Sequence, residues 1–145
     1  MPPFTLLYPV FVLAAWTLCM LVLVFLRRSG AVRRRECNIG DFRYGESDRV
    51  PPQVCLVGRN YANLLELPVL FYVVCLMLQM TGGNSPAARF CAWAYVLLRI
   101  VHSLIHIGRN NVLWRLSAFA ASNAALVVLW ILAGLHLLDA ARVGA

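Results

Sequence analysis

Lysine is absent from this sequence of 145 residues, and only six acidic residues accompany its thirteen arginines. Charged residues make up 13% of the chain, about half the share found in soluble domains. Hydrophobic residues reach 61%, and the mean hydropathy is +0.74. Such a chain has too little polar surface to cover a soluble core, so the composition predicts a protein embedded in a lipid bilayer.

The five cysteines are not spaced as ligand pairs. They lie 16 to 20 residues apart, which excludes a CxxC motif, a zinc-ligand pair and a compact disulfide framework. We interpret them as small apolar side chains, and no metal site is predicted.

Seven arginines fall between the first and second apolar stretches, at positions 27, 28, 33, 34, 35, 43 and 49. The pI near 9.7 would suggest a nucleic-acid partner in a soluble chain. Here the cluster adjoins an apolar segment, where basic residues set membrane orientation and contact anionic headgroups. We therefore predict a bilayer and no nucleic acid as the partner of this region.

Four apolar stretches are predicted to span the membrane. The first, at about 6–26, carries no charge, and it is too long and wrongly flanked to be a signal peptide. The others lie at about 54–80, 87–107 and 112–138, and the third is introduced by the start signal Ser85-Pro86. Residues 27–52 form the one long loop, so the chain is predicted to be a single four-helix transmembrane domain.

Short connections make consecutive helices antiparallel neighbours, which predicts an all-α, up-and-down four-helix bundle. The side of the long loop carries nine arginines near the helix ends, against Arg89 and Arg142 on the other side. The positive-inside rule then places loop 27–52 in the cytoplasm and both termini on the non-cytoplasmic side.

Ionisable residues inside the spans form two stripes rather than a scatter. At about 100° per residue, each stripe lies on one face of its helix in the cytoplasmic half of the membrane. The second helix carries Arg59, Asn63 and Glu66, the third carries Arg99, His102 and His106, and Arg115 enters the fourth at the same end.

Two interpretations of these stripes remain open. In one, Glu66 pairs with Arg99 or Arg59, and Asn63 links helices by hydrogen bonds. In the other, the excess of positive charge in a medium of low dielectric constant recruits an anionic ligand. We expect the second, because one carboxylate cannot neutralise three arginines.

The segment Gly58 to Pro68, GRNYANLLELP, resembles the R-x-x-x-N-x-x-E-x-P signature of the MAPEG superfamily, membrane-associated proteins of eicosanoid and glutathione metabolism. Arg99, His102 and the downstream Arg115 are similar in spacing to a second motif of that family. The similarity covers nearly the whole chain.

The resemblance implies a homotrimer with glutathione bound between neighbouring subunits near the cytoplasmic face. It implies that Arg59, Asn63 and Glu66 bind glutathione, that Arg99 and His102 complete the pocket, and that Arg115 holds the cysteine sulfur as thiolate. Two positions depart from the family, since a Tyr of the third helix is His106 here and a Tyr of some members is Leu67.

We therefore expect a glutathione-dependent transferase or peroxidase that acts on a lipophilic electrophile, with Arg115 and His106 as catalytic residues. The chain resembles the bacterial branch of the family, which implies a multi-pass protein of a bacterial inner membrane. The alternative is a non-catalytic lipid-binding or scaffold member of the same fold. A small transporter is disfavoured, since Pro68 is the only helix breaker in mid-span.

Overall fold

The computed structural model describes residues 5–143, apart from the side chain of Val143. In this range it contains five α-helices, one short 3-10 helix and no strand. The helices are α1 (Leu7–Arg33), α2 (Pro52–Leu65), α3 (Pro68–Thr81), α4 (Pro86–Ile107) and α5 (Val112–Val143), and Ile39–Phe42 forms the 3-10 helix. Residues 1–4 and 144–145, whose side of the membrane the sequence analysis predicts, fall outside the described residues.

Four helical segments are long and apolar enough to cross a membrane. They are Leu7–Arg33, Pro52–Thr81, Pro86–Ile107 and Val112–Arg142. Their outward faces are apolar, and Phe11, Phe25 and Trp114 are 71%, 69% and 70% exposed. Because such a surface is stable in lipid rather than in water, the chain is a multi-pass membrane protein, and the predicted all-α bundle of four spans is confirmed.

The second span consists of two helices, although the sequence analysis treated it as one. Pro68 lacks the N–H that would continue the ladder, and its ring clashes with the carbonyl group four residues earlier. The backbone leaves the helical region at Glu66, where φ is −84° and ψ is −96°. The sequence analysis used regular helical spacing to place Glu66 on the same face as Arg59. That spacing does not extend to Glu66, because α2 ends one residue earlier, at Leu65.

The connection between α4 and α5 is short, and these two helices form the most extensive contact in the bundle.

The predicted start of α4 is present, because the Ser85 hydroxyl accepts the N–H of Ala88 at 3.1 Å and Pro86 is the first helical residue. At the same end of the bundle, His136 Nε2 donates to the carbonyl oxygen of Thr81 at 3.0 Å. A Cβ at Gly83 would lie 2.6 Å from the His136 ring, so glycine permits this approach.

The loop after α1 lies against α2. Glu46 pairs with Arg28 at 3.3 Å. A Cβ at Gly58 would come within 2.6 Å of a Glu46 carboxylate oxygen, so a larger residue here would displace the Glu46 side chain from its present position. The loop thereby covers the end of the bundle to which the predicted site belongs.

The bundle interior has an apolar part and a polar part. In the apolar part, Phe71, Val74 and Leu129 are fully buried. In the polar part, five buried polar side chains lie on α2 and on the second half of α4: Asn60, Arg99, His102, Ser103 and His106. The polar part is where the structure brings several predicted site residues together.

Candidate functional site

Arg99 is the largest fully buried side chain of the described residues. Its Nη1 donates to Asn63 Oδ1 at 2.9 Å and its Nη2 donates to Asn123 Oδ1 at 3.0 Å. Its Nε donates to the Tyr95 hydroxyl oxygen at 3.2 Å. Arg99 on α4 is thus tied to α2 and α5 through neutral oxygen atoms.

Aromatic rings complete the surroundings of Arg99. Its Cζ lies 4.9 Å from the ring centroid of Phe119 and 5.3 Å from that of Tyr95. In residues 5–143, no carboxylate forms an ion pair with Arg99. The charge is therefore stabilised by amide dipoles and ring faces, and the interior keeps a positive charge with no counter-ion.

The ion pair that the sequence analysis considered for Glu66 is not found in the described part of the chain. Glu66 lies at the break between α2 and α3, with its side chain exposed. The interhelical link is made instead by Asn60, which is fully buried and donates its Nδ2 to Ser103 Oγ at 2.6 Å. Asn63 has a similar linking role, through its contact with Arg99.

A cavity of about 260 Å³ opens beside the Arg99 cluster. Four of the seven predicted site residues line it, and Leu116 and Phe119 are among its apolar walls. The four are Asn63, His102, His106 and Arg115. The structure therefore assembles one polar face of α2, α4 and α5 around a single space.

Arg115 is half-buried and has one described hydrogen-bond partner for its guanidinium group. Its Nη1 donates to Asn110 Oδ1 at 2.7 Å. Asn110 adopts a left-handed conformation with φ of +49°, which asparagine tolerates better than most residues. Next to it, Asn111 caps α5 by accepting the backbone N–H groups of Leu113 and Trp114.

The two histidines differ in their contacts. His102 Nδ1 lies 3.0 Å from the carbonyl oxygen of Arg115. Because a carbonyl oxygen only accepts, Nδ1 carries the hydrogen and Nε2 remains for another partner. His106 Nδ1 is buried and has no hydrogen-bond partner in the described structure, although the residue lines the cavity.

Arg59 lines a neighbouring cavity of about 330 Å³, with Glu46, Ser47 and Asp48 from the loop. Asn110 belongs to the lining of this cavity and also holds Arg115. Arg59 is exposed, like Glu66. The seven predicted residues thus divide into four at the first cavity, Arg99 behind it, Arg59 at the second cavity and Glu66 at neither.

The sequence analysis missed Asn110, Tyr95 and Asn123. Asn123 could have been predicted from the sequence, because an amide side chain inside a long apolar span needs a hydrogen-bond partner. Tyr95 lies four residues before Arg99 and therefore on the same helix face. No cluster of three His, Cys, Asp or Glu side chains that could hold a metal ion occurs between residues 5 and 143.

Comparison with protein families finds a match over residues 6–135 to the model described as "MAPEG family". Comparison with individually curated proteins gives no significant match. The family match covers the first three membrane-spanning segments, most of the fourth, and every residue that lines the two cavities.

Proposed function

Because the chain belongs to the MAPEG family, we propose that it is a membrane-embedded, glutathione-dependent transferase or peroxidase of the bacterial branch. The family includes such enzymes and generally uses glutathione. The electrophile in our proposal is a lipophilic small molecule that enters from the bilayer.

The observation that carries this proposal is the Arg115 guanidinium group at the wall of the 260 Å³ cavity, held by an amide oxygen rather than by a carboxylate. A positive charge beside a thiol lowers the thiol pKa and favours the nucleophilic thiolate. The His102 ring lines the same cavity with its Nε2 left for another partner, and His106 lines the cavity beside it, so both rings lie where a cysteinyl group would bind. In a transferase reaction the thiol proton leaves to solvent, and the sulfur lone pair forms the bond to the electrophilic carbon. In a substitution the leaving group departs with its bonding electron pair, and in a conjugate addition the π bond of the acceptor breaks and the resulting carbanion takes a proton from solvent.

The cavity is smaller than the usual range of about 300–1,000 Å³ for small-molecule sites. In our proposal it receives the sulfur end of glutathione, while the rest of the tripeptide extends toward exposed groups. Arg59 fits a glutathione carboxylate and Glu66 fits the ammonium group. Their exposure in a single chain leaves them available to a ligand that lies between subunits, and the homotrimer in our proposal rests on the family resemblance.

A place for the lipophilic substrate is an apolar groove of about 490 Å³ between α3 and α5. Asn123 is its one amide-bearing lining residue, and Asn123 also accepts a hydrogen bond from Arg99. A lipophile in this groove would reach the polar part of the bundle from the lipid side.

Orientation in a bacterial inner membrane is also part of the proposal, with the single domain placing loop 27–52 in the cytoplasm. In a cysteine-free variant, a single cysteine at Ser47 is expected to resist an impermeant maleimide in intact cells. A cysteine at Gly144, which falls outside the described residues, is expected to react. Labelling at Ser47 alone contradicts this orientation.

The function is tested by calorimetric titration of the detergent-purified protein with glutathione, S-hexylglutathione and an unrelated low-molecular-weight thiol. We expect saturable binding of the first two. Binding of neither, by protein that is folded, contradicts the proposal.

The second candidate is a non-catalytic lipid-binding or scaffold role. The apolar groove between α3 and α5 favours it, because the groove would bind a lipophile without any thiol chemistry. Lipophile binding in the absence of glutathione binding would identify this role.

A further inference from the structure

A cavity of about 600 Å³ lies outside the candidate site, between α1 and the 3-10 helix of the loop. Its apolar lining includes Leu21, Val24, Phe25 and Phe42, and its cationic lining consists of Arg28 and Arg33. We call it the α1 groove. None of the residues discussed for glutathione lines it.

The α1 groove crosses the boundary between the apolar and the charged part of α1. The first charge after the uncharged stretch is Arg27, so Leu21 and Phe25 lie at hydrocarbon depth and Arg33 lies at headgroup depth. From Leu21 to Arg33 the helix rises about 18 Å at 1.5 Å per residue. About 9 Å of this rise, from Leu21 to Arg27, precedes the first charge, and about 9 Å follows it, so the groove extends from the hydrocarbon into the headgroup region.

The charged side chains at the groove are arginines, and only one of the two forms an ion pair with a carboxylate of the described residues. Arg28 pairs with Glu46 at 3.3 Å and lies over the Phe42 ring, with 5.0 Å from Cζ to the centroid. Arg33 is exposed and forms no ion pair within residues 5–143. Arg27 and Arg35 nearby also form none there, whereas Arg34 pairs with Glu36 at 2.8 Å.

A second copy of this chain offers few carboxylates to the groove beyond those of the exposed residues Asp48 and Glu66. The chain has six acidic residues. Glu36 and Glu46 pair with arginines of their own loop region, and Asp41 accepts hydrogen bonds from Asn38 and Ser47. An anionic lipid supplies both the charge and the apolar chain that the groove lacks.

We propose that the α1 groove binds an anionic phospholipid, with one acyl chain along Leu21, Val24 and Phe25 and the headgroup phosphate at Arg28 and Arg33. The apolar wall contacts bulk lipid when this phospholipid is absent, so its acyl chain adds little affinity. The chain mainly positions the phospholipid in the groove. The arginines supply selectivity for negative headgroups, since each basic residue near an anionic surface contributes about 1 kcal/mol, or about fivefold in affinity.

Native mass spectrometry of the detergent-solubilised full-length protein tests the proposal. Phosphatidylglycerol and phosphatidylcholine with identical acyl chains are compared at equal concentrations. We expect more phosphatidylglycerol adducts, and about a fivefold loss of their affinity in Arg33→Gln. Arg109→Gln is the matched control, because Arg109 is exposed and lies at the same end of the bundle but away from the groove.

A second pair of variants tests the apolar half of the groove. Ser29 and Ser117 are both exposed, and each donates its hydroxyl to the carbonyl four residues earlier. Ser29→Trp narrows the groove and is expected to reduce phosphatidylglycerol adducts, while Ser117→Trp leaves them unchanged.

Three results overturn the proposal. One is equal binding of the two lipids, and another is an equal loss in Arg33→Gln and Arg109→Gln, which indicates non-specific attraction. The third is a change of oligomeric state in Ser29→Trp with lipid adducts retained, which indicates that another copy of the chain occupies the groove.

Discussion

Two arginines lie in the same polar part of the bundle under opposite conditions. Arg99 is fully buried, with three hydrogen bonds to protein and two rings against its guanidinium group. Arg115 is half-buried, has one described partner for its side chain and lines an open cavity. The number of donors left unused separates an arginine that organises the fold from one that can bind a ligand.

The contrast between Arg99 and Arg115 affects how the predicted binding of glutathione by Arg99 can be tested. Asn63 accepts from Arg99 and also lines the cavity, so loss of Arg99 would disturb a ligand partly through Asn63. Direct glutathione binding by Arg99 stays a prediction, and binding must be measured together with stability.

The largest effect is expected for Arg99→Met. Methionine retains much of the volume but leaves the acceptor oxygens of Asn63 and Asn123 without their partner. Each buried acceptor that loses its hydrogen-bond partner costs about 1–3 kcal/mol, and we expect a loss of at least this size in the free energy of unfolding, measured by denaturant titration in detergent micelles. Arg115→Met is the matched control, with an expected loss below about 1 kcal/mol.

Equal destabilisation of Arg99→Met and Arg115→Met would contradict the division of roles. So would a stable Arg99→Met protein that binds glutathione normally, because the cluster would then be dispensable for both fold and site.

The second prediction concerns the thiol. Arg115→Ala is expected to retain glutathione affinity within a few fold, because our proposal assigns the carboxylates to other residues. It should lose the ultraviolet absorbance of bound thiolate at neutral pH, since removal of an adjacent positive charge raises a thiol pKa by about 1–3 units. Arg109→Ala should keep the signal, and loss of the signal in both variants would rule out a specific role for Arg115.

The third prediction uses the unpartnered nitrogen of His106. His106→Phe removes the buried Nδ1, which has no hydrogen-bond partner in the described structure, but it also removes the ring's contact with the Leu56 backbone. The free energy of unfolding should therefore stay within about 1 kcal/mol of wild type. The rate of glutathione conjugation to a model electrophile should fall, and His106→Tyr, which supplies a hydroxyl donor, should restore part of it. Unchanged rates in both variants would remove His106 from the mechanism.

Residue type and helical spacing were sufficient to predict which polar residues lie together at one cavity, while their role as a binding site stays a prediction. Asn63, His102, His106 and Arg115 meet at one cavity because α2, α4 and α5 expose their polar residues at the same end of the bundle. Helical spacing could not place Glu66, because Pro68 interrupts the second span and α2 ends at Leu65, one residue before Glu66. The position of Arg59 depends on the loop residues Glu46 and Asp48, whose packing is set by tertiary contacts.

The partners of Arg99 show a second limit. A buried arginine is expected to pair with a carboxylate, and Glu66 was the only acidic candidate inside the spans. The structure uses Asn63, Asn123 and Tyr95 instead. Choosing among amide, hydroxyl and carboxylate partners requires side-chain positions that no periodicity supplies.

The smallest effect is expected in the loop, where a charge is held by protein groups but lies near water. Asp41 accepts the Asn38 N–H at 2.7 Å and the Ser47 hydroxyl at 2.8 Å, and these bonds lower the pKa of its carboxyl group. The ionised form therefore stabilises the folded loop fully above the unfolded-chain pKa of about 3.9, and this stabilisation is lost as the pH falls through the lower folded-state pKa. Hydrogen–deuterium exchange, corrected for intrinsic rates, should show loss of Asn38 amide protection below about pH 4 in wild type but a flatter response in Asp41→Asn. Asp48→Asn, in the same loop, should follow wild type, and a response that is identical in all three proteins would show that Asp41 does not order the loop.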